Sequence, residues 1–348
     1  MTFGQQNTLE EGVEQMKIAT QEYGINFIDT AEMYPVPTTA ETQGRTDQAV
    51  AAFLKTISNR KDYIIATKVC GRSSRIDWLP RSKPQTLAEV TVEQIVDSVT
   101  ASLERLQCDY IDLLQIHWPD RYTGGLFGQT DFTPTQYEAA PQPNTFQEQL
   151  EGLQRVIRSG QVRYVGLSNE TPYGMSQFVT LAQQYPDLYP KIISVQNSYS
   201  LVVRKDYEAG MGEMNYHHNV GLLAYSPLAG GSLTGKYRNT DKAVLQKSGS
   251  RLTLFPGFMD RYLGSMNEAA VNAYCDCAMK HNMTPSQLAL AWCYQNELIA
   301  STIIGATTME QLHINCQAYD MKDQIDESVL KDIDEIYKQY TDPTKARN

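Results

Sequence analysis

Residues 24–34 of the chain read GINFIDTAEMY, a short apolar run that follows a glycine and ends in polar side chains. The run at 26–30 predicts a strand, and Gly24 is placed to end the helix before it. That helix is predicted to begin at Thr8, because Glu11 three residues later gives the spacing of a capping box. Helix, buried strand and polar strand end then recur along the whole sequence.

Six further runs of apolar or β-branched residues follow the first one. They lie at residues 63–69, 110–117, 162–168, 192–196, 221–226 and 301–305. Such continuous runs are typical of strands that are buried on both faces of a parallel sheet. Most of the intervening stretches have a helical period, so the alternation implies right-handed strand–helix–strand crossovers. Seven strands with one helix to spare favour an α/β TIM (β/α)8 barrel over an open doubly wound sheet.

The predicted barrel is one strand short at its start. Only seven residues precede the predicted cap at Thr8, and Met1 to Gly4 are too few for a strand and its turn. We therefore expect a barrel that lacks most of its first strand, formed by a single domain over residues 1–348. Two of the long connections that follow strand ends, 118–144 and 229–266, are expected to form lids over the substrate and the cofactor.

Composition and charge limit the partners of the chain. The net charge is −10 and no basic cluster appears, so no nucleic-acid partner is predicted. No apolar run reaches the roughly 18 residues of a membrane span and no leader opens the chain, which predicts a cytoplasmic protein. The six cysteines lack C-x-x-C spacing and fit reduced thiols. Cys277 and His281 share a helix face, but no second ligand pair exists, so no metal site is predicted.

Polar side chains stand at the ends of the predicted strands. They are Asp29, Lys68, His117, Ser168, Asn169, Gln196, Tyr225 and Ser226. Each one has an ordinary structural explanation, such as a helix cap, a turn or a buried hydrogen bond. In a barrel, however, these strand ends meet at one mouth, where the side chains would form a proton-transfer group.

Tyr34 lies five residues beyond Asp29, within reach of the same mouth. A phenol has an ordinary pKa of about 10, so a neighbouring cation such as Lys68 is expected to lower it, with Asp29 holding the lysine. His117 is placed to orient a substrate oxygen. Because no side chain here supplies an electrophile or a reductant, the chemistry requires a cofactor.

The segment at 304–311, IGATTMEQ, offers a place for a phosphate. It combines a strand end, a turn of small residues and a helix whose Thr308 and Gln311 have capping-box spacing, so its first amides would point at an anion. No G-x-G-x-x-G motif follows any predicted strand, which argues against a Rossmann dinucleotide site.

At several places the sequence resembles the aldo-keto reductase family. The matching segments are GINFIDTAEMY at 24–34, ATKV at 66–69, QIHWP at 115–119, GLSN at 166–169, VQNSYS at 195–200, LAYSPLAGGSLTGKY at 223–237 and IIGATTMEQLHIN at 303–315. The resemblance covers residues 1 to about 340. AEMYPVP at 31–37 and ETQG at 41–44 are most similar to the bacterial Tas-type branch, which is related to potassium-channel β-subunits.

The resemblance implies a barrel that transfers hydride from NADPH to an aldehyde or a ketone. It implies catalytic roles for Asp29, Tyr34, Lys68 and His117, with Tyr34 as the general acid. It implies cofactor contacts from Ser168, Asn169, Gln196 and Tyr225 at the nicotinamide, from Ser226, Pro227, Leu228 and Lys236 at the pyrophosphate, and from Gly305, Thr307, Gln311 and Asn315 at the adenosine phosphate.

The chain departs from the family pattern in two places. Many members carry a lysine or arginine where this chain has Ala306 to Gln311, so NADPH is expected while NADH stays open. Lys236 or an arginine within 238–261 is the alternative source of that charge. The family's N-terminal hairpin and first strand are also missing, which is explained by a late start codon in the gene or by a real truncation.

Three functions follow from these observations. The leading one is an NADPH-dependent reductase of a small carbonyl compound. The second is an NADP(H)-binding regulatory or interaction protein with little turnover. The third is a lyase that uses Lys68 to form a Schiff base. The oligomeric state is not predicted.

Overall fold

The centre of the molecule is a sheet of seven parallel strands, each paired with the next along the chain. The computed structural model describes residues 1–81, 83–124, 131–238, 244, 250–254, 257 and 259–345. The strands are β1 (Phe27–Asp29), β2 (Ile64–Val69), β3 (Ile111–Ile116), β4 (Val162–Ser168), β5 (Ile192–Ser198), β6 (Gly221–Tyr225) and β7 (Ile299–Ile303). The predicted seven-stranded barrel is confirmed, and only β7 begins earlier than its apolar run suggested.

One helix precedes the first strand, and helices follow most of the strands, as the alternation predicted. They are α1 (Leu9–Gln21), α2 (Arg45–Leu54), α3 (Val92–Leu106), α4 (Pro134–Ala139), α5 (Phe146–Arg158), α6 (Pro172–Gln184), α7 (Lys205–Glu208), α8 (Met211–His218), α9 (Arg251–Leu254), α10 (Ser265–Lys280), α11 (Pro285–Tyr294), α12 (Met309–Gln317) and α13 (Glu327–Gln339). Thr8 and Glu11 form the predicted capping box at the start of α1. Within the described ranges, no helix is long and apolar enough to cross a bilayer.

Strands β1 and β7 stand at the two edges of the sheet, and no ladder joins them among the described residues. Ile18 of α1 and Tyr23 just beyond it pack against Ala306 and Leu312, which follow β7. The Tyr23 hydroxyl also lies 2.6 Å from His313 Nδ1. Side chains, rather than backbone hydrogen bonds, therefore connect the two edges of the barrel.

An apolar layer fills the barrel interior below the polar strand ends. Ala66 of β2, Leu113 of β3 and Leu223 of β6 pack together in one cluster. Because side chains two residues apart in a strand face the same side, Lys68 and Gln115 lie above this layer on the inner surface. The layer therefore separates the strand-end side chains from the other end of the barrel.

A buried ion pair supports the loop that follows β1. Glu32 accepts hydrogen bonds from Arg81 Nη1 at 2.7 Å and Nη2 at 3.0 Å, and both side chains are 1% exposed. The carboxylate also accepts from the Ser98 hydroxyl of α3 at 2.7 Å and from the Cys70 amide at 2.6 Å. Burial alone would raise the pKa of Glu32, but Arg81 holds that pKa below its ordinary value. The segment leading to Tyr34 is thereby held against β2 and α3.

We predict that Arg81→Met lowers the free energy of unfolding by about 3–5 kcal/mol, because the Glu32 carboxylate would stay buried without its partner. Urea denaturation followed by circular dichroism measures this loss. Lys83→Ala is the matched control, since the Lys83–Glu93 pair is 70% and 53% exposed and such solvent-exposed pairs contribute little to stability. Equal losses in both variants would contradict a supporting role for the buried pair.

Candidate active site

The C-terminal ends of the strands open into a large cavity of about 1390 Å³. All of the predicted site residues line it except Lys68, whose side chain is fully buried behind Asp29. The cavity also takes residues from the segments after β6 and β7. The structure thus brings the predicted residues together, and their individual roles stay predictions.

Asp29 and Lys68 form an ion pair at the head of the cavity. Lys68 Nζ donates to the Asp29 carboxylate and, at 2.8 Å, to the carbonyl of Thr30. The other Asp29 oxygen accepts from the side-chain amides of Gln115 at 3.2 Å and Gln196 at 2.9 Å. Burial lowers the pKa of Lys68, and the charge of Asp29 opposes that shift. This geometry agrees with the prediction that Asp29 holds the lysine in place.

Gln115 is a member of this network that sequence reasoning missed. It lies in β3 two residues before His117, which directly follows the strand, so strand alternation places both on the same side. The two-residue period of the strand could therefore have indicated Gln115 as a neighbour of His117. Its place inside the strand, rather than at the polar strand end, hides it among the apolar residues of the run.

Tyr34 lies beside this ion pair with its side chain buried. The Lys68 ammonium is 5.0 Å from the centre of the Tyr34 ring, and the His117 ring meets it edge-on at 5.6 Å. Burial, followed by the negative charge of Asp29, raises the pKa of the phenol well above its ordinary value. The expected net lowering of this pKa is therefore wrong for this arrangement, because burial of the phenol and the negative charge of Asp29 raise it.

His117 is held as a neutral imidazole. Burial of the ring, followed by the positive charge of Lys68, keeps its pKa well below the ordinary value. Within the described part of the chain, its Nδ1 is buried and has no hydrogen-bond partner. A neutral ring that faces the cavity along one edge can donate or accept a single hydrogen bond there.

The side chains predicted at the nicotinamide form a connected group. Asn169 Nδ2 donates to the His117 carbonyl at 2.8 Å, and the Tyr225 hydroxyl donates to Asn169 Oδ1 at 2.6 Å. The Ser168 hydroxyl donates to the Gln196 carbonyl at 2.8 Å. The ends of β3, β4, β5 and β6 are therefore joined through polar side chains around one corner of the cavity.

The other end of the cavity is formed by the turn before α12. Gln311 accepts from the Thr307 amide and from the Thr307 hydroxyl, both at 3.0 Å. Asn315 donates to the Gly305 carbonyl at 3.1 Å. The Thr308 hydroxyl caps the helix by accepting from the Gln311 amide at 3.2 Å. In a full capping box the Gln311 side chain would accept from the Thr308 amide, but it accepts from the Thr307 amide instead.

Arg251 is a cavity residue that the sequence indicated only as one of several arginines in a loop. It lines the cavity together with Lys236 and Arg261, and its guanidinium donates to Gln6 Oε1 at 3.2 Å. Burial lowers the pKa of Arg251. The cavity therefore contains cationic side chains although the segment from Ala306 to Gln311 has none.

The two predicted lids are described in part. Trp118 from the first connection and Arg251 from the second line the cavity. Residues 125–130 of the first connection, and 239–243, 245–249, 255–256 and 258 of the second, lie outside the described residues. Closure of either segment over the cavity stays a prediction.

Comparisons with known proteins point to one family. The model of the Aldo/keto reductase family matches residues 1–338. "Protein tas" of Escherichia coli (strain K12) and that of Shigella flexneri are each 41% identical over 343 residues, which cover 99% of this chain and 94% of the relative. "Aldo-keto reductase" of Babesia bovis is 38% identical over 289 residues, which cover 81% of this chain and 98% of that protein.

The fold, the strand-end cavity and these likenesses together define an α/β-barrel oxidoreductase. More narrowly, the chain belongs to the aldo/keto reductase family, whose members generally use nicotinamide cofactors. The resemblance stated from the sequence is thereby confirmed, including its likeness to the Tas-type branch.

We predict that the free energy of unfolding falls as the pH drops below about 6.5, partly because His117 stays neutral when folded and takes up a proton when unfolded. This residue contributes up to about 1.4 kcal/mol per pH unit below that point. His117→Gln should therefore give a flatter curve in urea denaturation at a series of pH values.

Measurements of the parent and the variant at about pH 8 serve as the control. At about pH 8 the imidazole is neutral in both states, so the difference there measures only the packing cost of the substitution. Parallel curves for the parent and the variant would contradict a depressed pKa at His117.

Proposed function

We propose that the protein is an NADPH-dependent oxidoreductase that reduces small aldehydes or ketones to alcohols, with Tyr34 as the general acid. The observation that carries this proposal is the buried ion pair of Asp29 and Lys68, whose ammonium lies 5.0 Å from the Tyr34 ring at the head of the cavity. Family membership supports the class of reaction, and this geometry supports the assignment of roles.

The residues of the cavity fit an extended dinucleotide. Gly230 and Gly231 adopt positive φ values of 66° and 98°, and a Cβ on Gly231 would come 3.2 Å from Lys236 Nζ. Glycine is therefore needed to keep this turn and the space beside it open. Lys236 and Arg251 would hold the phosphates, and the group around Asn169 would hold the uncharged amide end.

The proton in this proposal comes from Tyr34. Its raised pKa keeps the phenol protonated until negative charge develops on the substrate oxygen. An alkoxide is more basic than a phenolate, so proton transfer to it is favourable. The Lys68 ammonium then stabilises the phenolate that remains. When bound, NADPH supplies the hydride to the carbonyl carbon, and one hydride with one proton completes the alcohol.

His117 would orient the carbonyl oxygen toward Tyr34. The neutral imidazole adds a hydrogen bond without adding a second proton source, because its low pKa keeps it uncharged near neutral pH. Met33, Val36 and Trp118 line the same part of the cavity. Their apolar surfaces suit an apolar or aromatic carbonyl compound.

The surroundings of Lys68 argue against a Schiff-base lyase. The side chain is fully buried, and its ammonium donates to Asp29 and to the Thr30 carbonyl. A Schiff base requires a neutral amine with open access to a carbonyl carbon. Neither condition is met by a lysine held in this way.

We predict that Tyr34→Phe lowers the rate of nitrobenzaldehyde reduction by at least about 10²-fold, because it removes the proton donor. NADPH binding, followed by fluorescence titration, should be unchanged because the ring stays in place. Tyr23→Phe is the matched control, since that phenol contacts His313 rather than the cavity.

Two outcomes would contradict the proposal in different ways. Retained turnover in Tyr34→Phe would refute the role of the phenol. Tight NADPH binding by the parent protein without any turnover would instead support the alternative, an NADP(H)-binding regulatory or interaction protein.

We predict that Arg251→Ala weakens the binding of both NADPH and NADH by about tenfold, because Arg251 lines the cavity near Tyr34 and a charge-assisted hydrogen bond to a phosphate that both cofactors carry would be lost. Fluorescence titration with both cofactors measures the two affinities. Arg238→Ala is the control, since Arg238 pairs with Asp276 at 2.7 Å and does not line the cavity. Unchanged affinity for both cofactors would contradict a phosphate contact from Arg251.

A further inference from the structure

A cluster of three metal-ligating side chain types lies outside the active site, where helices α10 and α13 meet. Cys277 belongs to the last turn of α10, His281 follows that helix directly, and Asp332 belongs to α13. None of the three lines the active-site cavity. The cluster is therefore independent of the proposed reductase function.

The ligand atoms of the three side chains lie close together. Cys277 and His281 are four residues apart, the spacing that puts two side chains on one helix face. The thiol sulfur, an imidazole nitrogen and a carboxylate oxygen all lie within 4.8 Å of one another. His281 Nε2 lies 2.6 Å from Asp332 Oδ2, so the two atoms share a hydrogen bond that a cation bound between them would replace.

The spacing suits a small divalent cation. An ion equidistant from three atoms that are at most 4.8 Å apart lies within about 2.8 Å of each, so shifts of roughly 0.5–0.8 Å reach the bond lengths of about 2.0–2.3 Å that Zn²⁺ forms. Cys277 is buried, whereas the Asp332 and His281 side chains are 27% and 14% exposed. A cation can therefore enter from the solvent side while the thiol closes the inner side.

A cation bound at the cluster would take the place of an ammonium. Lys280 places its ammonium 2.7 Å from the same Asp332 oxygen, so one positive charge already occupies this position. The Lys280 side chain is 64% exposed and can move into solvent when another cation arrives.

We propose that Cys277, His281 and Asp332 form a binding site for a divalent transition-metal cation, with three protein ligands and one open position for water. Thiolate, imidazole and carboxylate together suit a borderline cation such as Zn²⁺ or Co²⁺ better than Mg²⁺ or Ca²⁺. Bound metal would link α10 to α13 across the outside of the barrel.

The sequence alone predicted no metal site here because it showed only the pair of Cys277 and His281. The third ligand comes from a helix 51 residues further along the chain. Only the packing of α10 against α13 places it beside the pair.

Titration of the full, chelator-treated chain with Co²⁺ tests the proposal. We expect one Co²⁺ per chain, with a thiolate-to-cobalt charge-transfer band and the visible bands of a four-coordinate ion, both removed by added Zn²⁺. Cys277→Ser should abolish the charge-transfer band. Cys275→Ala is the matched control, since this cysteine is buried two residues earlier on the same helix and lies outside the cluster.

Two further variants keep the test decisive if Cys277→Ser fails to fold. Asp332→Asn, at a partly exposed position, should weaken Co²⁺ binding by at least about tenfold. Lys280→Ala should tighten it, because the competing ammonium is removed from the carboxylate. Both variants should keep the reductase activity of the parent, since the cluster lies outside the cavity.

Three results would overturn the assignment. They are the absence of a charge-transfer band in the parent, a band that survives in Cys277→Ser, and Co²⁺ affinity that is unchanged or weaker in Lys280→Ala. Failure of the reductase assay in the parent would bear only on the proposed function, because metal binding is read from the cobalt spectrum.

Discussion

The buried ion pair between Asp29 and Lys68 is the interaction on which the rest of the site depends. A lysine inside a barrel is very costly without a partner, so the strands that carry the two residues must pair in one register. The same carboxylate accepts hydrogen bonds from Gln115 and Gln196. The ends of β1, β2, β3 and β5 are thereby joined at one point, and the position of Tyr34 follows from it.

This joining matters most for β1, which is a three-residue strand at the edge of the sheet. Such a short edge strand has few backbone hydrogen bonds to hold it. The segment after it is anchored instead by two side-chain networks. Thr30 donates to buried Asp47 at 2.7 Å, and Asp47 accepts from Arg105 of α3 at 2.8 Å. Glu32 makes the second network with Arg81.

Charge is distributed differently over the chain and around the cavity. The chain as a whole carries a net charge of −10, yet Lys236, Arg251 and Arg261 line the cavity. A local concentration of positive charge in a negatively charged protein favours small anions at that place over large polyanions. This arrangement suits a small anionic cofactor at that place.

The sequence by itself determined the seven strands, the main helices and the strand-end residues Lys68 and His117, because apolar period and capping act over a few neighbouring residues. It could not show that Arg81 pairs with Glu32 or that Arg251 enters the cavity. Nor could it show that the pKa of Tyr34 rises. Those features depend on distances between segments far apart in the chain and on the exclusion of water from the site, and only the tertiary structure decides both.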